Sequence, residues 1–364
     1  MEQAEAWQET ERASLVAAVV FAADHGHPEH SWQLAESLHG YLSRHGYVED
    51  WLRTHQVALG AALAAGDRAG EAVTRTYLGS CYMFLDRGED ALDNLYRALE
   101  LHRQAGNRNL ETGALGFLGY VCGRAGRFAE ALEYTRLAIG YASGRDVQRE
   151  ALLREHAGKL LTVLGRFDEA FDNYERAIVL YREVGLPSDV QQLAEICVGD
   201  VYRNMGRLDE ARELLERLVA DAADHGPVPN EANARHRLGN TYWALGRLDD
   251  ALAQLTEALG LARTVGVFFT ESEVLVDLGV VHRDAGRLEE ALDMVGEALT
   301  LAVATKERYQ QARALDALAG LHDRAGHPDL AEDHWRRAYD LFTELGTPEA
   351  DRIRPRITAL VSAL

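Results

Sequence analysis

The chain of 364 residues is short of cysteine, proline and long apolar runs, and each shortage excludes a class of protein. Its three cysteines, Cys81, Cys122 and Cys197, are too few and too odd in number for a disulfide framework, which indicates a reducing compartment. The longest early apolar run, residues 15–23, is too short to cross a bilayer, and no basic segment typical of a signal peptide precedes it. We therefore expect a cytoplasmic protein.

Positive charge is also scarce, with 38 Lys and Arg against 58 Asp and Glu and a net charge of −20. Because contacts to phosphates are made mainly by cations, this balance argues against direct binding to nucleic acid, and it argues equally against a membrane surface. A hydrophobic fraction of 47% excludes a disordered chain. The composition is that of a folded protein with other partners.

Catalytic signatures are absent from the sequence, which has no phosphate-binding loop, dinucleotide fingerprint, Gly-x-Ser-x-Gly or His-Glu-x-x-His motif. The pair Asp168-Glu169 stands where a helix is expected to begin, and there it complements the helix dipole. His25, His27 and His30 lie in a turn without a nearby carboxylate or cysteine, which favours a solvated loop over a metal site. The sequence predicts a protein that is not an enzyme and has no cofactor or metal.

A repeat of about 40 residues organises the chain. The motif Gly-Arg-[Leu/Phe]-x-[Glu/Asp]-Ala begins at Gly126, Gly165, Gly206, Gly246 and Gly286, with degenerate copies at residues 46, 86 and 326. A second breaker follows about 20 residues later, at Gly66, Gly106, Gly185, Gly226, Gly266 and Gly346, with Lys306 in its place once. This punctuation predicts two helices per repeat, each ending at a left-handed residue.

Small residues recur in register within the two helices. The first helix carries a Leu-Gly-like pair at 78–79, 118–119, 157–158, 198–199, 238–239, 278–279 and 318–319. The second carries alanines seven residues apart, at 91/98, 131/138, 170/177, 251/258, 291/298 and 331/338, with Leu218 as the exception in the repeat after Gly206. Two helical turns separate such alanines, so both face one neighbour and allow it to approach closely.

These motifs resemble the tetratricopeptide (TPR) repeat in a longer, 40-residue form. The resemblance implies an all-α, TPR-like α-solenoid, a right-handed superhelix of helix-turn-helix repeats whose first helices line the concave face. We expect an N-terminal helical segment with a degenerate first repeat at residues 1–70, seven TPR-like repeats at 71–346 and a capping helix at 347–364. Degenerate end repeats are typical of such arrays.

A narrower resemblance concerns the start of the chain. Ala6-Trp7, Glu11-Arg12, Leu15, Ala35-x2-Leu38, Trp51 and Gly66-Asp67 resemble the entry to the C-terminal TPR sensor region of bacterial STAND and SARP-type regulators. In that family an NB-ARC nucleotide-binding module precedes the region, and the region is thought to sense a ligand or partner. The resemblance implies an excised sensor region or a stand-alone relative.

The concave groove is the expected binding site, and its candidate residues come from the repeat register. Scarce cations, amides and aromatic side chains gather in the central repeats, in a strip suited to carboxylates or to the main chain of an extended peptide. The candidates are Tyr120, Lys159, Asp200, Arg203, His236, Asn240, Trp243 and Arg283.

Two functions remain open at this point. The first is a non-enzymatic module that binds a protein segment, a peptide or a small signalling ligand, and that serves as the sensing region of a bacterial signalling or transcriptional regulator. The second is a stand-alone scaffold that forms a homodimer or bridges partners through its convex or terminal surfaces.

Overall fold

The computed structural model describes the backbone of residues 2–265 and 268–363 and the side chains of 7–224, 226–264 and 271–358. The described part is all-α, with 18 helices in consecutive pairs, as the sequence predicts. The chain divides into unit 1, Met1–Gly123 with Glu133–Asp146, and unit 2, Arg124–Leu132 with Val147–Leu364. The proposed division at residues 70 and 346 stays a prediction.

The helices are 15 to 23 residues long. The first seven are α1 (Glu2–Asp24), α2 (Pro28–Arg44), α3 (Val48–Ala65), α4 (Arg68–Phe84), α5 (Gly88–Ala105), α6 (Arg108–Arg124) and α7 (Phe128–Ala142). They are followed by α8 (Val147–Val163), α9 (Phe167–Glu183), α10 (Ser188–Asn204), α11 (Leu208–His225), α12 (Val228–Ala244) and α13 (Leu248–Val265). The last five are α14 (Phe268–Asp284), α15 (Leu288–Ala304), α16 (Arg308–Arg324), α17 (Pro328–Leu345) and α18 (Glu349–Ala363).

Left-handed residues end most of the helices, as the glycine spacing predicts. Positive φ angles occur at Gly26, Gly46, Gly66, Gly106, Gly126, Gly144, Gly165, Gly185, Gly206, Gly246, Gly286, Gly326 and Gly346. Asp86 and Lys306 adopt the same conformation, each with φ of 57°, where the repeat lacks its glycine. The turn after α3 shows the reason, because Asp67 N donates to Ala62 O and Gly66 N to Leu63 O, which satisfies carbonyls at the helix end.

One predicted cap is wrong and one lies outside the described residues. Gly226 has φ of −88° and ψ of 163°, an extended conformation. Pro227 follows it, and the proline ring forces the preceding residue toward extended angles. Gly266 is the predicted cap that falls outside the described residues.

Close packing explains the small residues within each pair. A Cβ atom added at Gly239 would lie 2.7 Å from Leu255 Cγ, and one at Gly199 would lie 2.6 Å from Leu215 Cγ. These distances are shorter than van der Waals contact, so only glycine allows the two helices to approach this closely. The repeated alanines of the second helices are completely buried. They are Ala91, Ala98, Ala131, Ala138, Ala170, Ala177, Ala251, Ala258, Ala291, Ala298, Ala331 and Ala338.

Both ends of the chain are helical. In unit 1, Val19 of α1 belongs to the same apolar cluster as Leu42 and Trp51. In unit 2, α18 inserts Ala350 and Ile353 against α16 and α17. Residues 360, 361 and 364, which the sequence suggests as further cover for the last repeat, have no described side chains.

The first and second helices of the repeats have different neighbours in unit 2. The first helices contact one another directly, α8 with α10, α10 with α12, α12 with α14 and α14 with α16. Among the described residues the second helices make no comparable contacts with each other. Unit 2 therefore bends toward α8, α10, α12, α14 and α16, which we call the inner helices. No described helix is both long and apolar enough to span a membrane.

Candidate functional site

A ladder of polar side chains joins the inner helices of unit 2, with Asp277 of α14 at its centre. The Asp277 carboxylate accepts hydrogen bonds from His236 Nε2 at 2.7 Å and Asn240 Nδ2 at 2.8 Å, both on α12. Its other oxygen accepts from Arg313 Nη2 of α16 at 2.5 Å. Burial alone would raise the pKa of Asp277, but the charge of Arg313 and the hydrogen bond from His236 hold it well below its usual value. Asp277 is thus a fixed anion shared by three helices.

Glu273, one helical turn before Asp277, extends the ladder. It accepts from Gln310 Nε2 of α16 at 2.8 Å and from Arg237 Nη2 of α12 at 3.3 Å. His236 is fully buried, and its Nδ1 has no hydrogen-bond partner among the described residues. Because the Asp277 carboxylate accepts a hydrogen bond from His236 Nε2, a neutral His236 must carry its proton on that nitrogen.

Asp200 of α10 carries the ladder toward the start of unit 2. Its carboxylate accepts from Arg203 Nη2 at 2.8 Å, and Asn204 Nδ2 donates to the Asp200 carbonyl at 2.9 Å. Burial raises the pKa of Asp200, but the charges of Arg203 and Arg237 outweigh burial and lower it to about 2. The Arg237 charge therefore acts on both Asp200 and Glu273.

Trp243 stands at the other end of α12 and is anchored by Asp284 of α14. The indole Nε1 donates to Asp284 Oδ2 at 2.9 Å. Arg283 Nε donates to Asp284 Oδ1 at 2.9 Å, and Arg324 Nη1 of α16 donates to the Arg283 carbonyl, also at 2.9 Å. The half-buried Trp243 ring is thus held in one orientation by its neighbours.

Lys159 of α8 belongs to a separate polar group. Its Nζ donates to Glu155 Oε1 at 2.6 Å, and the hydroxyl of Tyr181 donates to Glu155 Oε2 at 2.7 Å. Glu155 is 7% exposed, whereas the Lys159 side chain is 46% exposed. The Lys159 side chain is therefore partly exposed to solvent, and its hydrogen bond to the buried Glu155 holds it in place.

The structure brings together some of the predicted groove residues and separates others. His236 and Asn240 meet on Asp277, whereas Trp243 and Arg283 meet on Asp284. Asp200 and Arg203 pair with each other. Tyr120 is 37% exposed and belongs to unit 1, whereas the other seven candidates belong to unit 2.

The cations of the predicted strip have carboxylate partners within the chain. Lys159, Arg203 and Arg283 each pair with a carboxylate of this chain, on Glu155, Asp200 and Asp284 respectively. Two of these pairs are four and three residues apart on one helix, a spacing at which side chains meet. The inner side is therefore a surface of alternating charge rather than a strip of uncompensated cations.

Sequence reasoning missed half of the ladder. The candidates chosen from the repeat register omit the central anion and several of the charged residues that link the helices. The missed residues are Arg237, Glu273, Asp277, Asp284, Arg313 and Arg324. A signal was present, since these charges stand 36 to 41 residues from their partners, about one repeat.

The recurring turn arginines have a structural role. Arg207 pairs with Glu210 at 2.5 Å, and its guanidinium lies 4.2 Å from the centre of the Tyr202 ring. Arg247 repeats this arrangement with Asp250 and Tyr242. Each arginine thereby ties the start of the second helix to the end of the first.

The cysteines and the N-terminal histidines are not among the residues of the ladder. Cys81 and Cys122 are buried, and Cys197 is partly exposed. His25 Nδ1 lies 2.9 Å from the carbonyl of Phe21, within its own helix end. Among the residues that the structure describes, no group of three or more His, Cys, Asp and Glu is arranged to hold a metal ion.

The helix pairs and the ladder define an α-helical repeat protein with a polar inner side. A family model described as tetratricopeptide repeat matches residues 70–140, 190–264 and 270–344. These segments make up more than half of the chain, which belongs to the tetratricopeptide repeat family. No curated protein matches the sequence.

Solved structures share the fold over most of the chain. A Rap protein complexed with competence and sporulation factor matches with a TM-score of 0.63 and 13% identity, over 91% of this chain and 98% of that one. Aspartyl phosphate phosphatase F from Bacillus subtilis matches with 0.60 and 11%, over 92% and 95%. The apo form of the quorum sensor NprR from B. thuringiensis matches with 0.58 and 14%, over 92% and 98%. At these identities the likeness concerns the fold alone.

Proposed function

We propose that the protein is a non-enzymatic receptor that binds an extended peptide or protein segment along the inner helices of unit 2. The observation that carries this proposal is the ladder from Asp200 to Arg313, in which carboxylates, guanidinium groups and amides of four consecutive inner helices are held in place. Fixed donors and acceptors of both signs suit the alternating N–H and C=O groups of an extended main chain. Trp243 supplies an aromatic anchor beside them.

The solved structures support a signalling role. A Rap protein of the same fold is complexed with competence and sporulation factor, and NprR is a quorum sensor. We infer that in this protein occupancy of the inner side changes the affinity for a second protein. The low number of cysteines, three in 364 residues, suits a cytoplasmic location, which stays part of the proposal.

The narrower proposal is that the chain is the sensor region of a transcriptional regulator of the STAND or SARP type. It is supported by motifs in residues 6–67 only, and no fold comparison reported above strengthens it. The proposal of a peptide receptor does not depend on it. A homodimeric scaffold stays the alternative, and light scattering across a concentration series tests it directly.

A peptide selection tests the receptor proposal. Random peptides are selected on the wild-type protein, and their affinities are then measured for two triple variants. Lys159→Ala/Arg203→Ala/Arg283→Ala removes inner cations, and Arg176→Ala/Arg182→Ala/Arg217→Ala removes exposed cations from the second helices α9 and α11. We expect the inner variant to lose about tenfold or more in affinity and the outer variant to stay within about twofold, because a buried charge contact contributes more than a rim charge.

The affinity of the same peptides for Trp243→Ala tests the inner surface a second time, without a change of charge. Far-ultraviolet circular dichroism checks that each variant is folded. Equal affinity of the selected peptides for wild type, the inner triple variant and Trp243→Ala would contradict an inner binding surface.

A further inference from the structure

One turn of unit 2 differs from its equivalents in other repeats. At the α6–α7 turn, Gly126 is buried and Phe128 is only 7% exposed. The equivalent glycines Gly206, Gly246 and Gly286 are exposed. The same repeat element is therefore covered at this turn and open at the others.

The cover comes from the other end of unit 2. A Cβ atom built at Gly126 would overlap the side chain of Leu345, at the end of α17. The Phe128 ring meets the Tyr309 ring of α16 edge to face, with centres 5.9 Å apart and planes at 87°. Leu345 is 4% exposed, whereas Val184, which occupies the same repeat position at the end of α9, is 38% exposed. Both sides of the contact are thus buried by it.

A second turn faces the same segment. A Cβ atom at Gly165, in the α8–α9 turn, would lie 3.1 Å from Pro348 Cγ. Next to Pro348, Glu349 accepts a hydrogen bond of 2.9 Å from the Tyr309 hydroxyl. The equivalent turns of two consecutive repeats, α6–α7 and α8–α9, therefore meet the connection between α17 and α18, although about 200 residues of chain separate the two sides.

We propose that this contact is a reversible clasp that controls access to the inner helices of unit 2. The inner helices α10, α12 and α14 lie in the chain between the two sides of the clasp, and α8 and α16 flank them, so that the closed clasp joins the ends of the surface they form. The contact consists of a few side chains, Phe128, Leu345, Tyr309 and Pro348. Apart from this contact, the two sides are joined only by the polypeptide chain of the repeats between them. In this proposal the closed clasp slows the entry of a polypeptide to the inner side, and the clasp closes again over the occupant. This proposal rests on the proposed function only for the nature of the occupant.

Cys197 provides a reporter that needs no ligand. It lies on inner helix α10, and it is partly exposed, whereas Cys81 and Cys122 are 0% exposed. Cys197 stands two residues before Gly199, as the ladder residues Arg237 and Asp277 stand two residues before Gly239 and Gly279. Burial raises the pKa of its thiol, and the nearby charges of Lys159 and Arg237 act in the opposite direction. The rate at which a maleimide alkylates Cys197 therefore measures access to the inner side.

The test compares two maleimides, N-ethylmaleimide and a polymer-linked maleimide, on three full-length proteins. Leu345→Asp places a charge inside the clasp, and Val184→Asp places the same charge at the equivalent exposed position. Peptide mass spectrometry assigns the modified cysteine. We expect Leu345→Asp to raise the rate of the polymer-linked reagent at Cys197 by about tenfold and that of N-ethylmaleimide by less than about twofold, with no change in Val184→Asp.

Hydrogen exchange completes the test. Leu345→Asp is expected to speed exchange in residues 124–132 and to leave the turns at Gly206 and Gly246 unchanged. Faster alkylation of Cys81 and Cys122 would reveal general unfolding, in which case the milder Leu345→Ala is used. An unchanged rate of the polymer-linked reagent in the folded variants, or unchanged exchange in residues 124–132, overturns the clasp. A clasp that opens as expected in a protein without affinity for selected peptides would instead overturn the receptor proposal alone.

Discussion

Units 1 and 2 share one repeat frame but bury different polar groups. In unit 1 the rings of His39, Trp51, His55 and Tyr77 pack against one another, and the ring centres of His39 and Tyr77 lie 4.3 Å apart. Three nitrogens of this cluster, His39 Nδ1, Trp51 Nε1 and His55 Nε2, find no hydrogen-bond partner among the described residues. Unit 2 instead buries the ions of the ladder, and each carboxylate there has at least two donors. The repeated small residues are compatible with either kind of buried polar group, because they fix the distance between paired helices and do not determine which side chains stand on the other helix faces.

The first prediction tests the ions of unit 2. Asp277→Ala leaves Arg313 and His236 without their shared acceptor, and we expect a loss of about 3–5 kcal/mol in the free energy of unfolding. Urea titration followed by circular dichroism measures it. His55→Leu is the counterpart in unit 1, where it removes a neutral imidazole with an unpartnered nitrogen, and a change within about 1 kcal/mol is expected. A greater loss for His55→Leu than for Asp277→Ala would reverse the comparison.

The second prediction tests the shared frame. Ala251→Trp forces a large side chain into a fully buried position in unit 2, and Ala91→Trp does the same in unit 1. Each should lower the free energy of unfolding by about 1–3 kcal/mol or more. Gly260→Ala is the control, because an added Cβ there meets no atom within 4 Å, and the exchange should stabilise α13 by about 0.5–1 kcal/mol. Tolerance of Ala251→Trp would show that the assigned packing register is wrong.

The third prediction concerns pH. Burial lowers the pKa of His39 to about 4 and that of His55 to about 3. The unfolded chain binds protons at these histidines below about pH 6.5, but the folded unit does not, so their contribution is complete above that pH and falls as the pH drops toward 4. Asp200, with its pKa lowered to about 2, contributes in full above about pH 4 and loses its contribution only below it.

Between pH 7 and about pH 5 we therefore expect His39 and His55 each to cost unit 1 about 2 kcal/mol of stability, and unit 2 to lose less in total. His282 and His322 of unit 2 also have pKa values lowered by burial, but they lie nearer the surface. Hydrogen exchange of α3 and α12, corrected for the intrinsic rate at each pH, measures the two losses separately. Equal losses would remove the proposed difference between the units.

The smallest effect is expected at the turns. Arg247→Ala removes an exposed ion pair with Asp250 and a ring contact 4.3 Å from the Tyr242 centre. Exposed pairs of this kind are screened by solvent and contribute little to stability, so the melting temperature should fall only slightly. The equivalent change in unit 1, Arg87→Ala, should have the same effect, and differential scanning calorimetry compares them.

The helix pairs were predictable because the signals for them are local. A glycine 16 residues before Leu215 or Leu255 reports a steric contact within one pair, and the left-handed turns report backbone angles that side chains disfavour. Even the exception at Gly226 could have been read from the proline that follows it. The pairing of Lys159 with Glu155, four residues away, was likewise present in the sequence.

The ladder and the clasp depend on information that a single repeat does not contain. Asp277 takes its partners from α12 and α16, and their approach depends on how far each repeat is rotated against the next. Leu345 meets Gly126 only because small rotations add up over several repeats. Neither contact has a motif of its own.

The spacing of the repeated small residues varies only in the connections from one helix pair to the next. The interval from the first-helix small residue to the second-helix alanine is always 12 residues, from Gly79 to Ala91 as from Gly279 to Ala291. The interval onward to the next repeat changes, with 20 residues from Ala138 to Gly158 and 22 from Ala177 to Gly199. One inserted residue rotates a helix face by about 100°, so the glycine contact makes the interval inside each pair intolerant of insertions and deletions. Sequence growth and loss are thereby confined to the connections between pairs, where tags, labels or whole additional pairs are best introduced.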